Sequence, residues 1–198
     1  MNASPSVRPP RSRGRPRGFD RDKALDIALA RFRAEGFDAV STADLCAAMG
    51  ISPPSLYAAF TSKADLFEEA LDRYETRVGP RFAPMREARD PAGLARAVLT
   101  AAAQLYGRGG PCLVLHGARG SRDPVALEAT GARRESFQRV LAHRLDALGD
   151  LQAGPRADAL MVAMAGLSWA ALTGTGEAAL RRSALAMADG IGALGPET

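Results

Sequence analysis

The sequence predicts an all-α protein of about nine helices, on three observations. Apolar residues recur at helical spacing in almost every segment after residue 19. Ser or Asp precedes most of these runs and Gly or Gly-Pro follows many of them, as helix starts and stops do. No stretch alternates β-branched with polar residues in the manner of a half-buried strand. The chain of 198 residues is 46% hydrophobic and 24% charged, enough for one large domain or two small ones and too apolar for wholesale disorder.

Asp20 is a good N-cap for a helix carrying Ala24, Leu25, Ala28, Leu29 and Phe32, which Gly36 ends. Ser41 to Asp44 reads as a capping box, with Asp in place of the usual Glu or Gln, opening a short helix with Leu45, Ala48 and Met49 that stops at Gly50. Ser52 caps the next short helix. Pro53 and Pro54 fall in its first turn, where a missing N–H is tolerated. Ser62 opens a further helix with Leu66, Phe67, Ala70, Leu71 and Tyr74 on its stripe, which Gly79-Pro80 is expected to close. Asp90-Pro91 starts a run through Leu94, Val98, Leu99, Ala102 and Leu105, ending near Gly107. Cys112 to Arg119 is a short apolar segment between glycines. Asp123-Pro124 opens a long helix with Val125, Leu127, Phe137, Val140, Leu141, Leu145 and Leu148 on its apolar face. Gly154-Pro155 begins an Ala-, Met- and Leu-rich helix through Leu172, and 177–194 form the last one.

Charge is unevenly spread. Residues 1–18 hold Arg8, Arg11, Arg13, Arg15 and Arg17 and no acid, a charge of +5 in a chain of net +4, so residues 19–198 sum to −1. A basic arm on a near-neutral body suits an anionic polymer or surface, although a solubilising tail would look alike. No apolar stretch approaches the roughly 20 residues of a membrane span, and the arm leads into no signal-like core. The two cysteines, Cys46 and Cys112, fit a reducing compartment, so the expected setting is cytoplasmic and away from membranes.

Residues 41–63 carry the functional signal. Two short helices around the turn Gly50-Ile51-Ser52 have the arrangement of a helix-turn-helix. Leu45, Met49, Ile51, Leu56 and Phe60 can pin the second helix, which leaves Pro53, Pro54, Ser55, Tyr57 and Ala58 outward. A helix in a major groove reads bases with such N-terminal residues: Ser bonds to any base edge, and Pro, Ala or a Tyr ring can meet thymine methyls. The helix starts at Ser41-Thr42 and Lys63 can meet phosphates, and Arg15 and Arg17 can follow the backbone or enter the minor groove. Double-stranded DNA is the expected partner.

Gly14-Arg15-Pro16-Arg17, the helix ending at Gly36-Phe37, and the stretch Thr42 to Leu71, with Leu56-Tyr57-x-x-Phe60-x-x-Lys63 at its centre, resemble the N-terminal domain of TetR/AcrR-type transcriptional regulators. Pro53-Pro54 and Ala58-Ala59 depart from that pattern, since both positions commonly carry polar residues there. The resemblance implies a homodimeric repressor on a palindromic operator, released by a small-molecule inducer bound in the C-terminal domain. It places Thr42, Ser52, Pro53, Pro54, Ser55, Tyr57 and Lys63 at positions used on DNA. The organisation it suggests is a basic arm 1–18, a helix-turn-helix domain 19–62, and a ligand-binding and dimerisation domain 63–198 entered through a connecting helix 63–79.

Residues 80–198 show no comparable signature. The last two helices are rich in small residues, which permit close approach either within one subunit or between two. For a bundle between subunits we expect Leu160, Ala163, Met164, Leu167, Ala171, Leu185 and Ala188 at the interface. A pocket for an inducer is expected among the central helices from Phe82, Met85, Leu105, Tyr106, His116, Phe137, Met164 and Trp169, residue types that equally form plain core. Cys112 and His116 share a helix face and could take part in a metal- or redox-responsive site, but two ligands make no site. No nucleophile elbow, P-loop or Rossmann fingerprint occurs, so neither enzymatic activity nor a cofactor is expected.

Overall fold

A computed structural model describes residues 20–195, and among them the chain forms nine α-helices, a 3-10 segment and no strand. Residues 1–18, with Arg15 and Arg17, lie outside the described residues. The first three helices are α1 (Arg21–Glu35), α2 (Thr42–Met49) and α3 (Pro53–Ala59), followed by the long α4 (Lys63–Val78). Then come α5 (Pro91–Gly109), the single turn α6 (Leu113–His116), α7 (Pro124–Asp146), α8 (Ala153–Leu172) and α9 (Glu177–Gly192).

Local chemistry sets the starts. The side chains of Asp20, Ser62, Asp90 and Asp123 each accept the backbone N–H three residues on, at 2.7–3.0 Å. Ser41 and Asp44 close a reciprocal capping box, so Asp serves where Glu or Gln is usual. Each such cap is worth about 1 kcal/mol. Ser52 is the exception: it precedes α3, yet its hydroxyl makes no cap bond and lies 2.9 Å from the Ser55 hydroxyl instead. Gly79-Pro80 does not close α4 into a loop. Gly79 keeps a right-handed helical backbone, and the chain tightens into the 3-10 segment Gly79–Arg86, because proline near a helix start gives up no intrahelical bond.

Three phenylalanines join the front of the molecule to its body. Phe32 on α1, Phe37 in the following loop and Phe67 on α4 are buried with ring centroids 5.1–6.1 Å apart. The loop is tied to the α6 region by the Phe37 N–H donating to Gly117 O at 2.7 Å and by the Ser121 hydroxyl donating to Asp38 at 2.9 Å. Gly117 is small by necessity: a Cβ there would lie 2.8 Å from a Leu113 methyl and 3.0 Å from the Phe67 ring. Behind this junction α5 runs through the centre, packed against α8, α9 and the 3-10 segment. On α7, Val125, Leu127 and Val140 stand exposed at 40–46%, contrary to the inward stripe the sequence suggested, while Leu141 and Leu145 point inward.

Among the described residues one ion pair is buried. Arg156 at the start of α8 bonds to Asp150 at 2.5 Å and donates to the carbonyls of Ile191 and Leu194 at the end of α9. The guanidinium thus neutralises a carboxylate and satisfies the negative end of a helix at once. Burial alone would raise the Asp150 carboxyl; the bond from Arg156 and the Gln152 amide outweigh it and hold it below the ordinary value. A depressed folded-state pKa adds stability above the unfolded value, near 3.9, that is lost as pH falls below it. Removing one partner leaves a buried charge unpaired. Asp150→Asn should therefore lower unfolding stability at pH 7 by about 3–5 kcal/mol in urea titrations, with the difference from wild type narrowing below about pH 4.

Candidate nucleic-acid interface and interior cavity

The tip formed by α2, the turn and α3 leaves the outer face of α3 uncovered. Gly50 adopts φ 67° and ψ 36°, a left-handed conformation that ends α2 and redirects the chain within two residues. Leu45, Leu56 and Phe60 are buried, with Met49 and Ile51 half-buried against them. Ser52, Pro53, Pro54, Ser55, Tyr57 and Ala58 are all exposed, Tyr57 to 50%. At the far end of α3, Arg21 of α1 lies 4.4 Å above the Phe60 ring and donates to Ala59 O and Glu69. The short helix is thus held at both ends.

The groups around the tip are unequal. The Ser41 hydroxyl donates to Asp44 at 2.6 Å and the Ser41 N–H to the same carboxylate, whose pKa these bonds lower. Ser41 is therefore occupied by an anion that would repel a phosphate. The half-buried Thr42 hydroxyl has no partner among the described residues. Lys63 donates to Phe37 O at 3.0 Å and Val40 O at 3.1 Å, and its ammonium sits 4.1 Å from the Phe37 ring centroid. It locks the α1–α2 loop to α4, and only one of its three N–H bonds is left for an outside anion.

Behind α4 lies a cavity of about 150 Å³ between α4, the 3-10 segment, α5, α6, α7 and α8. Phe82, Leu105, Tyr106, Phe137 and Met164 line it as expected; Met85, His116 and Trp169 do not. Met85 is buried elsewhere in the core. His116 lies 3.3 Å from Ala165 O, and burial holds its pKa below the ordinary value. Trp169, 53% exposed, packs its ring 6.0 Å from that of His116. Cys112 lines the cavity, which His116 does not, and among the described residues no group of three His, Cys, Asp or Glu residues is placed to hold a metal.

Sequence reasoning missed the polar part of this cavity. Tyr74 is 2% exposed and lines the space, its hydroxyl beside the Cys112 thiol and the Leu113 N–H without a well-formed hydrogen bond to either. A buried hydroxyl lacking a good bond costs about 1–3 kcal/mol. Burial raises its phenol far above the ordinary value, with neighbouring Cys112 adding to the effect. Glu75, Arg133 and Arg134 also line the space. Arg133 pairs with Asp72 and Glu75 on α4. Burial raises the Glu75 carboxyl and Arg133 opposes it. Arg134 is half-buried and has no acidic partner within ion-pair distance among the described residues.

The α8–α9 surface corrects the expected subunit face. Leu160, Ala163, Met164, Leu167 and Ala188 are buried within the subunit, since they fill the space between α5, α8 and α9, and Ala171 is half-buried. Of the expected set only Leu185 stands out, at 38%. Val162 at 73% and Trp169 at 53% join it, with Gly166 and Ala186 exposed beside them. Where small residues surround a helix, the pattern gave no way to tell its two faces apart.

Residues 24–70 match the model of the bacterial regulatory proteins of the tetR family. The chain is 42% identical over 119 residues to the HTH-type transcriptional repressor BdcR of Escherichia coli K12, covering 58% of this chain and 60% of that protein. It is 51% identical over 78 residues to the repressor ComR of the same organism, covering 39% and 35%. The chain thus spans less than two thirds of the curated relatives it matches. A cysteine-substituted form of the TetR family transcriptional regulator CifR, solved with 26-base-pair operator DNA, superposes with a TM-score of 0.79 at 32% identity, over 92% of this chain and 100% of that one. SCO4454 of Streptomyces coelicolor shares the fold at 22% identity, with a TM-score of 0.72 over 86% and 93% of the two chains.

Because Lys63 is engaged inside the molecule, its loss should be felt without any ligand. Lys63→Ala should lower stability by about 1–3 kcal/mol in urea unfolding, whereas the exposed Ser55→Ala should stay within about 0.5 kcal/mol. Equal stability of the two variants would mean that the ammonium holds nothing in place.

Proposed function

The chain belongs to the TetR family of bacterial transcriptional regulators, and we propose that it is a repressor that binds operator DNA as a homodimer and lets go when a small molecule enters the cavity behind α4. The exposed start of α3, presented on a buried Leu45–Leu56–Phe60 base, is the observation that carries the reading. Ser55 and Tyr57 supply the hydrogen-bonding groups of that face, and Pro53, Pro54 and Ala58 supply apolar surface for thymine methyls. Thr42, Ser52, the remaining N–H of Lys63 and the arm with Arg15 and Arg17 supply phosphate contacts. The operator-bound state of CifR supports this assignment. Residues 19–62 act as the DNA-binding unit and 63–198 as the ligand-binding and dimerisation unit, with α4 between them.

Two subunits meet through Val162, Trp169 and Leu185, the apolar residues that α8 and α9 leave uncovered. A two-fold interface sets each patch against its own copy and spaces two recognition helices for a palindrome. Release uses α4. One of its faces is clasped from the cavity wall by Arg133 through Asp72 and Glu75, and the other grips α1 through Arg73 and Arg77 on Asp22 and Asp26. A ligand that favours one position of α4 over another shifts the DNA-binding unit with it, by no more than its difference in affinity for the two states.

Footprinting should reveal two half-sites separated by one DNA turn or a small multiple. Ser55→Ala and Tyr57→Ala should change the ranking of operator variants, each base contact being worth about 1–3 kcal/mol, and removal of residues 1–18 should instead weaken all DNA and flatten the salt dependence. An unchanged ranking would remove α3 from base reading. Leu185→Asp sets two carboxylates near the two-fold axis and should raise the dimer dissociation constant at least about tenfold by sedimentation equilibrium.

A further inference from the structure

We infer that the cavity behind α4 takes a single-ring aromatic carboxylate, an inference that rests on the inducer-site reading and gives that site a ligand class. Size comes first. About 150 Å³ is the volume of an apolar cavity that accepts one benzene-sized ring. The walls suit a ring: Phe82 and Phe137 meet edge to face with centroids 5.4 Å apart, and Met161 and Met164 add polarizable, adaptable surface.

The polar groups then select the substituent. Within the cavity the buried Tyr74 hydroxyl has only the Cys112 thiol and the Leu113 N–H beside it and no well-formed hydrogen bond, so a ligand acceptor offers its O–H a stronger partner. Arg134, which lines the cavity from α7, has no acid paired to it, whereas Arg133 is already committed to Asp72 and Glu75. Arg134 is therefore the one guanidinium of the lining with no carboxylate paired to it. A carboxylate on an aromatic ring answers both needs: the ring fills the apolar volume, and the anion accepts from Tyr74 and faces Arg134. An aromatic amine would instead set a second cation beside the unpaired Arg134.

The test is isothermal titration of the full-length protein with benzoate, benzyl alcohol and benzylamine. One benzoate should bind per chain, benzyl alcohol about tenfold more weakly, and benzylamine not at all. Arg134→Gln should cut benzoate affinity about tenfold and leave benzyl alcohol almost unchanged, while Tyr74→Phe, which preserves shape, should weaken both. No heat with millimolar benzoate, equal binding of benzylamine, or an unaffected Arg134→Gln would overturn the assignment; melting curves of both variants verify that they fold. Operator release is measured separately. Benzoate that binds without dissociating operator DNA sustains the ligand class and removes the inducer role, whereas absent binding beside intact operator recognition removes the ligand class alone.

Discussion

Phe32, Phe37 and Phe67 bring a helix end, a loop and a second helix into one buried aromatic cluster, and the orientation of the reading tip depends on it. The tip alone is small: two helices of eight and seven residues cannot bury enough surface to hold a fixed angle. Their angle is inherited from α1 and α4, which the cluster joins. The Lys63 ammonium and the Phe37 N–H fasten the same loop from opposite sides, so the loop satisfies its polar groups while its ring stays in the core. Gly117 is the steric condition for that closeness.

The junction also places the cavity near the tip's foundations. Arg33 at the end of α1 donates to the carbonyls of Gly110 and Pro111 and lies 5.3 Å from the Tyr74 ring, whose hydroxyl faces the cavity. One layer of side chains therefore separates a ligand-sized space from the helix that anchors the DNA-facing unit. Asp22, Asp26, Arg73 and Arg77 reinforce the contact between α1 and α4 from the solvent side. Exposed pairs of this kind contribute little individually, so they set the register of two helices more than they resist its change.

Much of the helical architecture was legible because its signals are local. Asp20, Ser41, Ser62, Asp90 and Asp123 announce their helices through caps that need no knowledge of the rest of the chain. The outward set on α3 was legible for a similar reason, since seven residues of one helix have a readable period. Legibility failed where an outcome depends on partners far away in sequence. Nothing in the order of Ala, Met and Leu on α8 says that Leu160 and Met164 turn in while Val162 and Trp169 turn out. Tyr74 reads as an ordinary core position on the α4 stripe, and nothing in the sequence singles out Arg134. Their meeting in one cavity is a property of α4 and α7 together, and an unpaired hydroxyl has no sequence signature.

The chain contains a single tryptophan, Trp169, and it stands on the exposed surface of α8 beside the imidazole of His116. Indole emission moves to shorter wavelength when water is excluded, and a protonated imidazole in contact quenches it. The molecule thus carries a native optical probe on the very surface left apolar by its own packing, while the cavity behind α4 contains no indole to confuse the signal. Wavelength would register coverage of that surface and intensity the charge on His116, with no label attached.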